Sequence, residues 1–420
     1  MITIILKYKK EESLKRFHPW VFSGAIHRME DEFGNEVQPE EGDWVRVVSA
    51  QGEFLALGQY QIGSIAVRIF SFDEEEFDDD FFLHRLQAAY DIRKSLNLIR
   101  EDNNAFRLVH GEGDGLPGLI IDVYDQTAVM QAHTPGIHYI REALAEDLIR
   151  VAGADIRNVY YKSETTLGYK TEARQQAAEA QESVNGYLII DGKPVTDKAQ
   201  GKALEASISD VATENGLKFH VDWLKGQKTG FFVDQRENRA LVEKFAKGRK
   251  VLNMFCYTGG FSFYAMRGGA ELVHSVDVSQ QAINFTNNNV ELNYPGDPRH
   301  EAICEDAFHY LDRMDQEYDL IILDPPAFAK HRKVLHNALQ GYRRLNAKAF
   351  ERIKPGGILF TFSCSQVVTK EDFRCAVFSA AAQSGRRVRI LHQLHQPADH
   401  PINIYHPEGE YLKGLVVYVE

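Results

Sequence analysis

The chain has 420 residues, of which 44% are hydrophobic and 26% charged, and its formal net charge at pH 7 is −12. This length predicts two or three domains, the composition is typical of a soluble globular protein, and the acidic balance argues weakly against a nucleic-acid partner. No apolar run approaches the ~20 residues that span a bilayer, and the N-terminus lacks the order of a secretory signal, so we expect a cytoplasmic protein.

Residues 1–72 are predicted to form a compact β-barrel. Short apolar stretches, separated by turn signals such as Gly34-Asn35, are typical of antiparallel strands. The acidic run at 73–80 marks the boundary of this barrel.

Residues 73–195 are predicted to form a central α+β domain. Apolar residues at near-helical spacing predict a helix from 81 to about 105, and Asp125-Gln126 predicts a hairpin between two apolar strands. Residues 135–153 predict one amphipathic helix.

The remaining residues, 196–420, are predicted to form a Rossmann-like α/β domain, with a lead-in hairpin at 207–224 that turns at Asn215-Gly216. From residue 249 strands and helices alternate, which predicts a parallel sheet with right-handed crossovers. Ligands of such sheets lie beyond the carboxyl ends of the strands. Residues with chemical roles are therefore expected directly after strands.

The first three predicted strands of this sheet are followed by residues that suit a nucleoside ligand. The first leads to Gly259 and Gly260, which allow close approach of the backbone to a ligand. The second ends at Asp277, where an acid accepts hydrogen bonds from ribose hydroxyls. The third leads to Asp306, whose carboxylate suits an exocyclic adenine amine. Taken singly, each residue also fits an ordinary turn or helix cap.

The fourth and fifth strands deliver an acid and a thiol. Asp324 is followed by two prolines that fix its backbone, and such rigidity suits a group that holds the edge of a base. Cys364 follows the fifth strand and so has the position of a site residue. The five signals in strand order are a stronger indication of a ligand site than any one of them.

This series resembles the sheet of class I methyltransferases that use S-adenosylmethionine. The resemblance implies that the two glycines lie by the methionine part of the cofactor, Asp277 by its ribose and Asp306 by its adenine. The predicted cofactor-binding residues are Phe255, Tyr257, Gly259, Gly260, Asp277, Val278, Asp306, Ala307 and Asp324.

Four segments narrow the resemblance: GQKTGFFVDQRENR at 226–239, NMFCYTGGFS, LDPPAFAK and FSCSQ. Over essentially the whole chain they resemble the bacterial 23S ribosomal RNA cytosine-C5 methyltransferases of the large-subunit methyltransferase I type. This family implies an N-terminal PUA domain, a central α+β domain and a Rossmann-like catalytic domain. It also implies 23S ribosomal RNA as partner and no membrane, and a homodimer is left open.

The resemblance implies that Cys364 is the nucleophile and Asp324 the acid that orients the base. A thiolate that adds to carbon 6 of cytosine turns carbon 5 into an enamine-like centre, which attacks the sulfonium methyl. Many RNA cytosine-C5 enzymes carry a second cysteine after the fourth strand, where this chain has Pro325-Pro326-Ala327. A single-cysteine mechanism is therefore inferred.

The other cysteines are interpreted as packing residues: Cys256 in the glycine turn, Cys304 on a strand and Cys375 on a helix. The four cysteines form no CxxC pair, so neither a disulfide framework nor a metal site is expected.

Contacts to RNA are predicted at Lys228, Arg236, Phe328 and Lys330. Phe328 is a candidate to stack on the extruded base, and Lys330 begins a basic cluster at 330–333 that suits phosphate.

Three basic residues before the sheet keep more than one interpretation. Lys228, Arg236 and Arg239 suit the cofactor carboxylate or an RNA phosphate, and they equally suit ion pairs with Asp234 and Glu237.

Three other functions stay open. The motif Asp-Pro-Pro-Ala-Phe at 324–328 is also similar to that of enzymes that methylate exocyclic amines, for which Cys364 would be inert. A non-catalytic ribosome-assembly factor is disfavoured by the intact series of site residues. A small-molecule methyltransferase is disfavoured by the appended barrel.

Overall fold

A computed structural model describes residues 1–74, 78–168, 175, 183–196, 201, 204–314 and 317–420. The chain divides into two compact units, each made of three segments. The first unit comprises Met1–Ala212, Val221–Val233 and Ala398–Gly409, and the second comprises Thr213–His220, Asp234–Pro397 and Glu410–Glu420. The predicted boundaries of three domains stay a prediction.

The first sheet of the first unit lies in the region of the predicted barrel. Its strands are β1 (Ile2–Leu6), β2 (Trp20–Phe22), β3 (Ile26–Glu30), β4 (Trp44–Val48), β5 (Phe54–Tyr60) and β6 (Ile65–Ser71), with a short helix α1 (Glu12–Lys15). They are ordered β2-β6-β5-β4-β1-β3, and all neighbours are antiparallel except β1 and β4. Alternate apolar residues such as Ile4, Val45 and Val67 are fully buried and form its core.

The second sheet of the first unit is also mixed. Its strands are β7 (Ala105–His110), β8 (Leu119–Tyr124), β9 (Thr127–Ala132), β10 (Asn158–Tyr161), β11 (Gly186–Ile190) and β12 (Lys193–Pro194). Its helices are α2 (Phe81–Ser95), α3 (Pro135–Tyr139) and α4 (Arg141–Ala152). The strands follow one another in chain order, and the predicted hairpin at Asp125-Gln126 joins β8 to β9 as an antiparallel pair.

Two predicted helices of this region have different bounds in the structure. The helix predicted to reach about residue 105 ends at Ser95, because Asn97 adopts a positive φ of 54° that a right-handed helix excludes. The single helix predicted at 135–153 is two helices, since Ile140 between them has a ψ of 12° and leaves the helical conformation.

The predicted lead-in hairpin consists of β13 (Val211–Glu214) and β14 (Leu217–His220). Its turn residues Asn215 and Gly216 have φ of 47° and 82°, the two positive values that a tight hairpin turn requires. This prediction is confirmed.

The second unit contains a seven-stranded sheet. Its strands are β15 (Lys250–Met254), β16 (Leu272–Asp277), β17 (His300–Cys304), β18 (Leu320–Leu323), β19 (Gly357–Ser363), β20 (Val388–Leu394) and β21 (Lys413–Val419), ordered β17-β16-β15-β18-β19-β21-β20. The first five in this order are parallel, and β21 is antiparallel to both of its neighbours. The strand order reverses at β15, so the ligand crevice is expected between the carboxyl ends of β15 and β18.

The helices of the second unit are α5 (Arg236–Phe245), α6 (Gly260–Arg267), α7 (Gln280–Asn293), α8 (Ala307–Arg313), α9 (Leu335–Arg352) and α10 (Lys370–Ser384). The central strands are continuous apolar runs, as expected for strands covered on both faces, and Leu252, Ile321 and Leu359 are fully buried. Among the helices of the described ranges, none combines the length and the apolar character needed to cross a membrane.

Two of the cysteines predicted to pack in the core are in fact exposed. Cys304 ends β17, which is an edge strand of the sheet, and Cys375 lies on the outer side of α10. Apolar neighbours in sequence do not reveal whether a strand is central or at the edge. Cys256 is 6% exposed, so its interpretation as a packing residue is confirmed.

Candidate active site

The turn that follows β15 has an unusual backbone. Phe255, Tyr257 and Gly259 have φ of 60°, 49° and 83°, so three left-handed residues occur within five positions. Two of them carry side chains, which disfavours this conformation and concentrates strain at the turn. A Cβ on Gly259 would lie 2.6 Å from Phe263 and 2.9 Å from Thr286, so no other residue fits.

Next to this turn, Arg239 of α5 forms a buried ion pair. Its Nε donates to Oε1 of Glu214 at 2.8 Å and its Nη2 to Oε2 at 2.6 Å, and the two side chains are 3% and 0% exposed. Burial opposes the charge of Arg239, but Glu214 raises its pKa above the usual value. A Cβ on Gly260 would lie 3.0 Å from Cδ of Arg239, so the pair supports the glycine turn. Of the alternatives for Arg239, an ion pair is present, with Glu214 as its partner.

Asp277 connects the end of β16 to the glycine turn. Its Oδ2 accepts a hydrogen bond from the N–H of Tyr257 at 3.1 Å, and its Oδ1 accepts one from Ser279 at 2.9 Å. The cap of α7 is Ser279, whose hydroxyl accepts from the N–H of Ala282, so the alternative role of Asp277 as helix cap is not the one observed. Asp277 is half-buried, and the side chain of the following Val278 is exposed at the same edge.

Asp306 follows β17 and begins α8. Its Oδ1 accepts hydrogen bonds from the backbone N–H groups of Phe308 and His309 at 2.9 and 3.1 Å, so this carboxylate is the helix cap. Ala307 is buried under the first turn of the helix. The predicted contacts of Asp306 and Ala307 with adenine stay a prediction.

Asp324 follows β18 and is half-buried, with Pro325 buried behind it. Phe328, four residues on, packs its ring on Tyr342 of α9, with centroids 4.6 Å apart. A Cβ on Gly341 would lie 3.0 Å from this ring, so one side of Phe328 is closely covered. Lys330 and the rest of the basic cluster at 330–333 are exposed.

Cys364 is partly exposed, although both of its neighbours are buried to 1% or less. The hydroxyl of Ser363 donates to that of Tyr342 at 2.9 Å, and the hydroxyl of Ser365 donates to the carbonyl of Ala329 at 2.6 Å. These bonds tie the segment after β19 to α9 and to the segment after β18. The thiol is therefore presented by a backbone that is anchored on both sides.

The pKa of Tyr342 depends on the groups that follow β18 and β19. Burial raises the pKa of Tyr342 to about 12, the hydrogen bond from Ser363 opposes the rise, and both Cys364 and Asp324 add to it. The groups after β18 and β19 are thus close enough to influence one buried hydroxyl.

A lysine that sequence reasoning missed lies at the start of β21. Lys413 pairs across the sheet with Ser363, is 4% exposed, and donates through Nζ to the carbonyl of Ser365 and to that of Val368 at 2.7 Å. Burial lowers its pKa to about 8, and Cys364 is the largest of the groups that raise it. The signal in the sequence was a lysine at the head of an apolar strand, where a buried charge needs a partner.

Two of the predicted RNA contacts precede the sheet in the chain. Lys228 is exposed in the first unit, with Nζ 4.8 Å from the ring centroid of Phe232. Arg236 begins α5 and is 1% exposed, with Nε 3.3 Å from Oε1 of Glu237. Its neighbour Asp234 accepts a hydrogen bond from the hydroxyl of Tyr411 at 2.7 Å.

The residues at this edge of the sheet fit a nucleoside cofactor with a charged amino-acid part. Asp277 supplies a carboxylate suited to a ribose, and the exposed Val278 supplies an apolar surface suited to a base. Within the described ranges, Oδ1 of the buried Asn253 on β15 has no hydrogen-bond donor. An ammonium group is a donor of the kind that this oxygen lacks.

Comparisons with known proteins match two parts of the chain to family models. Residues 4–72 match the model of a PUA-like domain, and residues 175–406 match that of an S-adenosylmethionine-dependent methyltransferase. The chain is 40% identical to ribosomal RNA large subunit methyltransferase I of Shewanella denitrificans, an alignment that covers 100% of this chain and 99% of the relative.

Solved structures share the fold over the whole length. A SAM-dependent methyltransferase from Streptococcus mutans aligns with a TM-score of 0.78, and a methyltransferase complexed with SAH aligns with 0.79. Both are 22% identical to this chain, and both alignments cover 100% of each chain. At this identity the likeness shows the fold.

Proposed function

Since the chain belongs to the S-adenosylmethionine-dependent methyltransferases, and among them to the ribosomal RNA large subunit methyltransferase I family, we propose that it forms 5-methylcytosine in 23S ribosomal RNA. The predicted fold class, with a PUA-like domain before a methyltransferase domain, is confirmed, and the cofactor is S-adenosylmethionine. The name of the relative specifies ribosomal RNA of the large subunit. The base, the atom and the adduct are the proposal.

The observation that carries the proposal is the exposure of Cys364 between two buried serines. The hydrogen bonds of Ser363 and Ser365 hold the backbone, while Cys364 itself remains partly exposed. A cysteine that served only packing would be buried like Cys256. A rigid backbone with an accessible sulfur is the arrangement that a covalent nucleophile needs.

The proposed reaction begins when Cys364 loses its proton to solvent and its sulfur bonds to carbon 6 of the cytosine. The electron pair of the C5–C6 double bond moves to carbon 5, which becomes nucleophilic. S-adenosylmethionine, when bound, supplies an electrophilic methyl group on its sulfonium. After methylation a base removes the proton of carbon 5, the double bond forms again, and the sulfur–carbon bond breaks to return the thiolate.

Asp324 is proposed to hold the cytosine during these steps through hydrogen bonds at N3 and the 4-amino group. Leu323 pairs with Thr361 across the sheet, so Asp324 is level with Phe362 and two positions short of Cys364. Regular strand spacing then separates the two Cα atoms by roughly 8 Å. A gap of this size accepts one pyrimidine ring between the side chains, and a base must leave its stack to enter it.

The experiment uses ribosomal RNA from a strain that lacks the enzyme, with methyl-labelled cofactor and mass analysis of the nucleosides. We expect 5-methylcytidine from the wild-type chain and none from Cys364→Ser. The matched control is Cys375→Ser, since this thiol is exposed on α10 and should be dispensable. RNA that contains 5-fluorocytosine should form a complex that survives denaturation, because fluorine cannot leave carbon 5 as a proton does.

The alternative on the same fold is methylation of an exocyclic amine by the motif at 324–328. It predicts an N-methylated nucleoside and nearly full activity in Cys364→Ser, and that pair of results would replace the proposal. A chain that bound no cofactor in calorimetry would instead favour a non-catalytic role in ribosome assembly.

A further inference from the structure

Lys413 is a buried charge with only part of its bonding capacity used. An ammonium group has three N–H donors, and in the described part of the chain two carbonyls accept from it, those of Ser365 and Val368. Both carbonyls belong to the segment that starts with Cys364. The lysine therefore reaches from β21 across to the segment that carries the thiol, and one donor remains for an anion in that place.

Among the charged groups around Lys413, the thiol of Cys364 has the largest effect in favour of the charged form of the lysine. Burial lowers the pKa of Lys413 to about 8, Cys364 and, less, Glu410 oppose this effect, and Lys370 adds to it. Glu410 is already paired with Lys370, whose Nζ lies 2.5 Å from its Oε1. Glu410 is therefore already engaged, and the two carbonyls that hold the ammonium group of Lys413 lie one and four residues beyond Cys364.

A thiolate at this position also needs a cation. Leu323 pairs with Thr361 across the sheet, so the carboxylate of Asp324 follows a strand next to the one that leads to Cys364. Two negative charges close together oppose ionisation of the second group. A free cysteine is only a few per cent thiolate at neutral pH, and a neighbouring carboxylate lowers that fraction further.

From this geometry we propose that Lys413 is a positioning residue that keeps Cys364 ionised, by placing its ammonium group beside the thiolate from the neighbouring strand β21. The proposal concerns the ionisation of Cys364 and rests on the proposed function only in that the thiolate is the nucleophile. Lys413 touches neither substrate nor cofactor and acts through Cys364. The proton that leaves the sulfur goes to solvent, and Lys413, whose pKa is about 8, remains mainly an ammonium group at pH 7.

The test measures the rate of Cys364 alkylation by iodoacetamide between pH 5 and 10, by mass analysis of the peptide that contains it. Cys304 and Cys375 are exposed and are replaced by serine in every variant, including the reference. Cys256 is buried and its pKa is raised to about 12, so it stays silent over this range. No RNA and no methyl transfer are needed for this readout.

Two substitutions separate charge from packing. Lys413→Met removes the charge and the hydrogen bonds, whereas Lys413→Gln removes the charge and keeps a donor for the carbonyls. In both we expect the midpoint of the alkylation curve to rise by about one pH unit, and the rate at pH 7 to fall about tenfold. Lys413→Arg should keep a midpoint near that of the reference. Lys370→Met is the control, because it removes an exposed lysine of the same surroundings.

A midpoint unchanged in both Lys413→Met and Lys413→Gln would overturn the proposal. A midpoint that rises in Lys413→Met but not in Lys413→Gln would also overturn it, because the lysine would then only hold the segment in place. The outcome is independent of the reaction proposed above. If Cys364→Ser kept full methylation while the midpoint rose in Lys413→Gln, carbon-5 methylation would fail and this inference would stand.

Discussion

Replacing Glu214 by glutamine tests whether the buried pair with Arg239 holds the glycine turn together. The substitution keeps Oε1, which accepts from Nε of Arg239 at 2.8 Å and from the hydroxyl of Tyr264 at 3.0 Å. It removes the negative charge and the bond from Nη2 at 2.6 Å. A guanidinium group that is 3% exposed then loses the negative charge of this partner.

The expected loss follows from this burial. Removing one partner of a buried ion pair destabilises a protein by about 3–5 kcal/mol, and the bonds that glutamine keeps place the result near about 3 kcal/mol. The matched control is Glu243→Gln, which breaks the pair with Arg267 in the same unit. Those two side chains are 28% and 32% exposed, so the control should lose less than about 1 kcal/mol.

The assay is unfolding in urea, monitored by hydrogen exchange in peptides from β15 and α6. The three tryptophans, Trp20, Trp44 and Trp223, belong to the first unit, so their fluorescence would report the wrong part of the chain. Binding of S-adenosylhomocysteine should weaken in parallel, because Arg239 packs against Gly260. If the stabilities of Glu214→Gln and Glu243→Gln differ by less than 1 kcal/mol, the pair does not support this turn and the reasoning is wrong.

Three further outcomes are expected. Asp277→Asn loses one accepted backbone hydrogen bond and a negative charge, so its affinity for S-adenosylhomocysteine in calorimetry should be about 10- to 100-fold weaker. A change below about threefold would contradict the role of Asp277. Gly259→Ala meets a positive φ and the ring of Phe263, so its midpoint in thermal unfolding should fall by several degrees, and an unchanged midpoint would show that the turn relaxes freely. The pKa of Lys413 is about 8 in the folded chain and has an ordinary value of 10.5, so the unfolded chain holds more protons between these pH values and stability rises with pH. In a Cys364→Ser background, the free energy of unfolding should increase by roughly 2–3 kcal/mol from pH 8 to pH 10.5, and Lys413→Met should lack this increase. The same pH dependence of stability with and without Lys413→Met would contradict the prediction.

Several errors of sequence reasoning have one cause. Cys304 and Cys375 sit in patterns that look like buried strand and helix, yet both are exposed, because the pattern does not say where a strand lies in its sheet or how a helix is rotated. For Arg239 the sequence left open a ligand contact or an ion pair with Asp234 or Glu237, and it did not reveal the pair with Glu214, 25 residues away on the lead-in hairpin.

The local order of the chain determined the succession of strands and helices, the hairpin at Asn215-Gly216 and the rule that Asp277, Asp324 and Cys364 each follow a strand. These features depend on backbone propensity and on apolar period, which neighbours in sequence control. Only the tertiary structure decided that β21 runs antiparallel beside β19 and brings Lys413 opposite Ser363, 50 residues earlier in the chain. Pairing between distant strands depends on how whole faces pack, so the electrostatic surroundings of the thiol become visible only when the sheet is assembled.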